Sequence, residues 1–196
     1  MRHDGMDLRR MAVPARIAGM FAAALLAASC AASCAAPVRP ALVPDGYRSW
    51  RTTTDVRLDY PIPGHEDQFR VIRMNEKGFS FTRADGPAGR IEFPEGTIIA
   101  KEIFPTSNPG PTDLPVMVTA MVKAPSDPDA RGGWLWVVKD LSNGMESIQK
   151  GDFCVLCHAN ANEARLYGSK NPGGAFSDYV FFVPGQAAAA SATGAN

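Results

Sequence analysis

Apolar and polar side chains alternate along the middle of this chain. From Phe69 to Asn75 an extended segment would carry Phe69, Val71 and Arg73 on one side, with Arg70, Ile72 and Met74 on the other. Thr97 to Phe104 follows the turn signal Pro94-Glu95-Gly96 and sets Ile99, Lys101 and Ile103 against Ile98, Ala100, Glu102 and Phe104. Val116 to Lys123 divides the same way, Val118 and Ala120 against Thr119 and Met121, and Gly133 to Lys139 sets Trp134, Trp136 and Val138 against Leu135 and Val137. A period of two is the signature of strands. The aromatic and β-branched run Asp178 to Val183 predicts one more. Helix signals are few. Asp45 to Trp50 reads as a capped turn with Tyr47 and Trp50 inward, Met145 to Lys150 as a short helical turn, and Phe153 to about Arg165 as a helix ending near Gly168. Asp59 to Gln68, Pro105 to Pro115 and Pro125 to Gly132 read as loops. The expected fold is mainly β (α+β), an antiparallel sheet domain with a few short helices.

Composition adds the ends of the domain. Residues 1–36 run from basic (Arg2, Arg9, Arg10, Arg16) through an apolar stretch, Ile17 to Ala28, to small residues. That order is a secretory signal peptide, and the apolar part is short of the roughly 20 residues of a membrane span; the alternative is an N-terminal anchor. Cys30 and Cys34 each follow small residues, as at a lipoprotein processing site, so a lipid anchor at either is the alternative to ordinary cleavage before residue 37. The folded domain would then span residues 37–184, with 185–196 too poor in bulky side chains to fold. A periplasmic location follows. Twenty basic and twenty acidic residues balance to zero net charge, which offers nucleic acid nothing to bind.

Cys154-Val155-Leu156-Cys157-His158 is the motif that attaches a c-type haem: two thiols add to the vinyl groups and the adjacent histidine ligates the iron. Cys154 and Cys157 are the only cysteines outside the leader. A thioredoxin-like pair would sit early, within a βαβ pattern that is missing here. A zinc site would need a fourth ligand, which His65 would have to supply. The expectation is therefore one haem c per chain, covalently attached, with His158 as its metal ligand. The same motif places the cofactor late in a β-rich chain, whereas common small c-type cytochromes are helical with the motif near the start.

Other residues bear on the opposite haem face. Lys101 shares an otherwise apolar strand side, which is costly unless its ammonium is used; the alternative is that it snorkels to the surface. Arg70 is suited to a haem propionate or a bound nitrogen-oxide ligand, or equally to a rim salt bridge with Glu66 or Asp67. His65 is a sixth iron ligand or a loop histidine. Met117 and Met121 are axial candidates or core packing.

The succession of Tyr47-Arg48-Ser49-Trp50, Phe69-Arg70-Val71-Ile72, Phe93 to Glu102, Met121-Val122-Lys123, Gly132-Gly133-Trp134, the Cys154–His158 motif and Asp178-Tyr179-Val180-Phe181 resembles the cytochrome P-460 family, with its relative cytochrome c-prime-beta, over essentially the whole mature chain. The resemblance implies an antiparallel β fold, a homodimer, five-coordinate haem bound through His158, and a distal face open to small nitrogen compounds such as hydroxylamine and NO. It makes Lys101 the counterpart of a lysine joined to the macrocycle in hydroxylamine-oxidising members, and Arg70 that of a distal arginine. Both are thus catalytic candidates, with a periplasmic cytochrome as electron partner. One position departs: enzymatic members carry a carboxylate where this chain has Thr119, which favours NO binding over hydroxylamine oxidation. Simple electron transfer, with a sixth protein ligand, is the third reading.

Overall fold

The computed structural model describes residues 39–54, 58, 69–84, 86, 89–105, 109–110, 112–164 and 174–185. The chain divides into two units, Met1–Pro40 and Ala41–Asn196, and the account below concerns the second. The leader with Cys30 and Cys34, the Asp59–Gln68 loop with His65, and the tail beyond Gly185 lie outside the described residues.

Eight strands are described. β1 is Arg51–Thr52, β2 Phe69–Met74, β3 Thr82–Arg83, β4 Ile91–Glu92, β5 Ile98–Phe104, β6 Met117–Lys123, β7 Trp134–Asp140 and β8 Glu146–Ile148. Six form one antiparallel sheet in the order β1-β2-β5-β6-β7-β8, and β3 pairs with β4 in a small ribbon. The one described α-helix, α1, is Phe153–Ala159. The expectation of a mainly β, antiparallel fold holds. The four alternating segments are β2, β5, β6 and β7, with the predicted faces.

Register fixes which side chains share a face. Ile72 opposes Lys101, Lys101 opposes Thr119, and Thr119 opposes Val138. On that face an apolar core of Ile72, Met74, Ile99, Met121, Trp134 and Trp136 is joined by Cys154 and Val155 of α1 and by the 179–183 segment. On the other face Ala100, Val118, Ala120, Val122, Leu135 and Val137 pack against Val43 and Tyr47. Covering on both sides explains why β7 is buried at nearly every position rather than alternately. Each fully buried aliphatic side chain contributes about 1.5–3 kcal/mol.

The second face carries a charge. Glu102, fully buried, accepts from Arg73 Nε at 2.8 Å, Arg48 Nε at 2.9 Å and the Tyr47 hydroxyl at 3.3 Å. Burial, and then the Glu102 carboxylate beside it, push the Tyr47 phenol up to about 12. Lys139 fastens the same N-terminal segment, donating to Val43 O at 2.7 Å and Asp45 Oδ1 at 3.0 Å. The 3-10 turn Asp45–Ser49 therefore lies where the sequence indicated, with Tyr47 buried.

Two predicted elements are corrected. Met145 to Lys150 is not a helical turn: Glu146–Ile148 is edge strand β8, paired with Val137–Lys139. Its neighbour β7 supplies a ladder that local propensity does not reveal. Asp178 to Val183 is not a strand. Asp178 and Tyr179 form a turn with φ of 53° and 65°, left-handed values that no strand contains.

Removing one partner of a fully buried ion pair costs about 3–5 kcal/mol. The Arg48 and Arg73 side chains retain some exposure and can rehydrate. Glu102→Gln is therefore expected to lower stability by about 2–3 kcal/mol in denaturant unfolding; an unchanged midpoint would show that the cluster does not hold the N-terminal segment.

Candidate functional site

α1 begins after Asp152, whose carbonyl accepts from Leu156 N at 2.9 Å. Its spacing gathers the motif: Cys154 and Cys157 are three apart, Cys154 and His158 four, so all three share one side. Phe153 and Leu156 face away and are exposed. The helix is shorter than the expected span to about Arg165: after Ala159 it gives way to a 3-10 turn, Asn160–Asn162, stabilised by Asn160 Nδ2 donating to Cys157 O at 2.9 Å, and Glu163 is extended.

His158 is fixed from three sides. Its Nδ1 lies 2.9 Å from the Tyr179 carbonyl. A carbonyl oxygen only accepts, so Nδ1 carries a proton, and whenever the ring is neutral the lone pair is on Nε2. The ring stacks edge-on to Trp136, centroids 4.8 Å apart, and lies 5.2 Å from Phe181.

The 177–179 turn that presents this carbonyl is itself anchored. Asn162 Oδ1 accepts from Ser177 N at 2.9 Å and Tyr179 N at 3.0 Å, and the Ser177 hydroxyl donates to Ala161 O at 2.6 Å. The buried Asp178 carboxylate accepts from Lys123 Nζ at 2.6 and 2.7 Å, Trp134 Nε1 at 3.1 Å and Phe93 N at 3.0 Å. Gly132 makes room for the turn. At φ +63° it has no Cβ, and one placed there would meet the Tyr179 ring at 2.8 Å and Val155 Cγ2 at 3.1 Å.

The sheet supplies the other half of the site. Lys101 and Arg70 project from the α1 side of β5 and β2. Arg70 is 1% exposed, which sets aside an ordinary rim position. Burial, and then the Arg70 guanidinium, push the Lys101 ammonium from 10.5 down to about 8, against the opposing pull of Cys157 and Cys154. Lys101 thus lies in electrostatic range of Arg70 and both motif cysteines, and it is half-buried rather than exposed. Burial pushes the Cys154 thiol up, and Lys101 partly offsets this. Thr119 stands directly across from Lys101 on β6. Met121 is buried in the core against Trp136 and Ile99, whereas Met117 is at an exposed strand end.

The Cytochrome P460 family model matches residues 44–182. The chain belongs to the cytochrome P460 family. No curated protein gives a significant match. Membership in the cytochrome P460 family implies a haem cofactor, and the residues present fit one. Two cysteines stand three apart on a helix, and a histidine beside them has its Nδ1 engaged and its lone pair on Nε2. A zinc site would need thiolates and imidazole to converge, and among the described residues no three His, Cys, Asp or Glu are grouped to hold an ion.

The sequence singles out Cys154, Cys157, His158, Lys101, Arg70 and Thr119, and the fold brings them to one side of the sheet. It did not single out Asp178, Asn162 or Lys123 as supports of His158. The only available signal was an acidic residue opening an apolar run.

Two consequences can be measured. In haem-free protein, Lys101 should label with an amine-selective reagent with a midpoint near pH 8; a midpoint above 10 would place its ammonium in water. The unfolded chain keeps this proton up to about 10.5 and the folded protein releases it near 8. The cost of the buried ammonium is thus present in full below pH 8 and is relieved as pH rises to 10.5. Titrating thiols overlap this window, so the check is the difference between wild type and Lys101→Met, which should shrink across it. Gly132→Ala, by left-handed strain plus displacement of Tyr179, should cost about 2 kcal/mol in thermal unfolding; a neutral effect would mean the turn has slack.

Proposed function

We propose that this protein is an exported mono-haem c-type cytochrome that binds small nitrogen compounds, NO above all, at the haem face opposite His158. One observation supports this most: Lys101 and Arg70, far apart in sequence, meet on the sheet face against which the Cys154/Cys157 helix packs. Thioethers to Cys154 and Cys157 would hold the group, and His158 Nε2 would ligate its iron. When bound, the group supplies a metal that takes up a diatomic or amine ligand and exchanges single electrons.

The chain's own residues set the rest. Tyr179 O fixes the His158 tautomer, while Trp136 and Phe181 fix its ring plane. The buried Arg70 guanidinium offers donors to a bound nitrogen-oxide oxygen, an interaction strengthened where water is excluded. Lys101, with its proton held only to about pH 8, is poised between ammonium donor and amine nucleophile. In the second state it is the counterpart of the lysine joined to the macrocycle in hydroxylamine-oxidising members; such a C–N bond replaces one amine N–H and one ring C–H and passes two electrons to an added oxidant of the peroxide class.

A second reading, oxidation of hydroxylamine with electrons passed to a periplasmic cytochrome, is disfavoured by Thr119. A carboxylate opposite Lys101 would take protons from hydroxylamine; a hydroxyl is a poor base at neutral pH. The signal-like residues 1–36 support export, a periplasmic location and haem attachment after translocation.

Spectra of the reduced holoprotein decide the matter. Five-coordinate haem that binds NO and CO is expected, with Arg70→Leu releasing NO about tenfold faster, equivalent to about 1.4 kcal/mol. A six-coordinate low-spin haem indifferent to both gases would instead make the protein an electron carrier. Hydroxylamine-dependent reduction of a cytochrome acceptor would establish the enzymatic reading over the binding one.

A further inference from the structure

We propose that Asp178 is a positioning residue for His158: through the 178–179 turn it aims the Tyr179 carbonyl at Nδ1, and by committing its own charge elsewhere it keeps that partner neutral. The inference rests on the reading of His158 as the iron ligand and adds what controls that ligand.

Two successive non-glycine residues in left-handed backbone, φ 53° and 65°, are strained by roughly 1–2 kcal/mol each. Such a turn persists only if its surroundings over-determine it. The carboxylate of Asp178 does this from within the turn, taking donors from three separate parts of the fold: Lys123 on β6, Trp134 on β7, and the Phe93 backbone just after β4. Asn162, one turn beyond α1, holds Tyr179 N from the other side. The Tyr179 carbonyl that emerges is 2.9 Å from Nδ1, between the walls of Trp136 and Phe181.

The chemistry of the partner matters. A carboxylate on Nδ1 would pull the ring towards imidazolate and strengthen its donation to a metal; an amide carbonyl does so only modestly. The nearest carboxylate in sequence to that carbonyl is Asp178, one residue away, and its oxygens are engaged by four hydrogen bonds that draw it towards the sheet. The device thus sets both the ring's orientation and a moderate basicity.

The test uses reduced holoprotein and the iron–histidine stretching band in resonance Raman spectra. Asp178→Asn removes the charge, and Trp134→Phe removes the indole N–H and some buried volume while keeping an aromatic ring. Both should move the band to lower frequency and broaden it, and both should raise the haem midpoint potential. Glu102→Gln, which loosens the opposite face of the sheet, should lose stability without moving the band. A band unmoved in both variants, or moved equally by Glu102→Gln, would overturn the inference. No iron–histidine band in a wild-type haem that is five-coordinate would instead remove the reading of His158, and this inference with it.

Discussion

Successive side chains on a strand point to opposite faces, and in β5 that rule separates two adjacent charges, Lys101 and Glu102, by the thickness of the sheet. Both faces are covered, Glu102 being fully buried and Lys101 half-buried, and each face is arranged around the charge it receives. Behind the sheet, Glu102 is matched by Arg48, Arg73 and the Tyr47 hydroxyl, which fastens the N-terminal segment over a small-residue core. In front, Lys101 meets a second cation, Arg70, and the cysteines of α1. The cost of placing cations there is visible in the lowered Lys101 pKa. A bound anionic or electron-rich group facing them would lower that cost.

The front face also explains the division of labour among its elements. The sheet contributes the groups that would face a ligand, while α1 and the 177–179 turn contribute the attachment points and the oriented histidine. These halves are joined by Asp178, which reaches from the turn to Lys123 and Trp134 on two adjacent strands. Rigidity at His158 therefore derives from the sheet rather than from the short helix that carries the residue. Seven residues of helix, none of them fully buried, would not hold a ring plane alone.

Much of this was legible from alternation alone. β2, β5, β6 and β7 are long enough for a period of two to show, so the faces of Arg70, Lys101 and Thr119 could be assigned before their neighbours were known. β8 could not, because three residues at an edge take their conformation from β7. The run from Asp178 to Val183 misled for a physical reason. Tyr-Val-Phe-Phe-Val has strand composition, but Asp178 is held by tertiary hydrogen bonds that impose a left-handed turn, and its apolar side chains pack on the core without a ladder. The partner of His158 was hidden for another reason: it is a backbone carbonyl, and every residue has one. Alternation gave Lys101 its face, and register then set it opposite Ile72 and Thr119.

The central claim is that α1 holds a haem covalently against the sheet face bearing Lys101. Peptide mapping of protein purified from a host able to attach c-type haem tests it directly. The account predicts that the peptide containing both Cys154 and Cys157 carries the haem mass and that neither cysteine reacts with an alkylating reagent. Recovery of that peptide without haem, with both thiols alkylated, would contradict it.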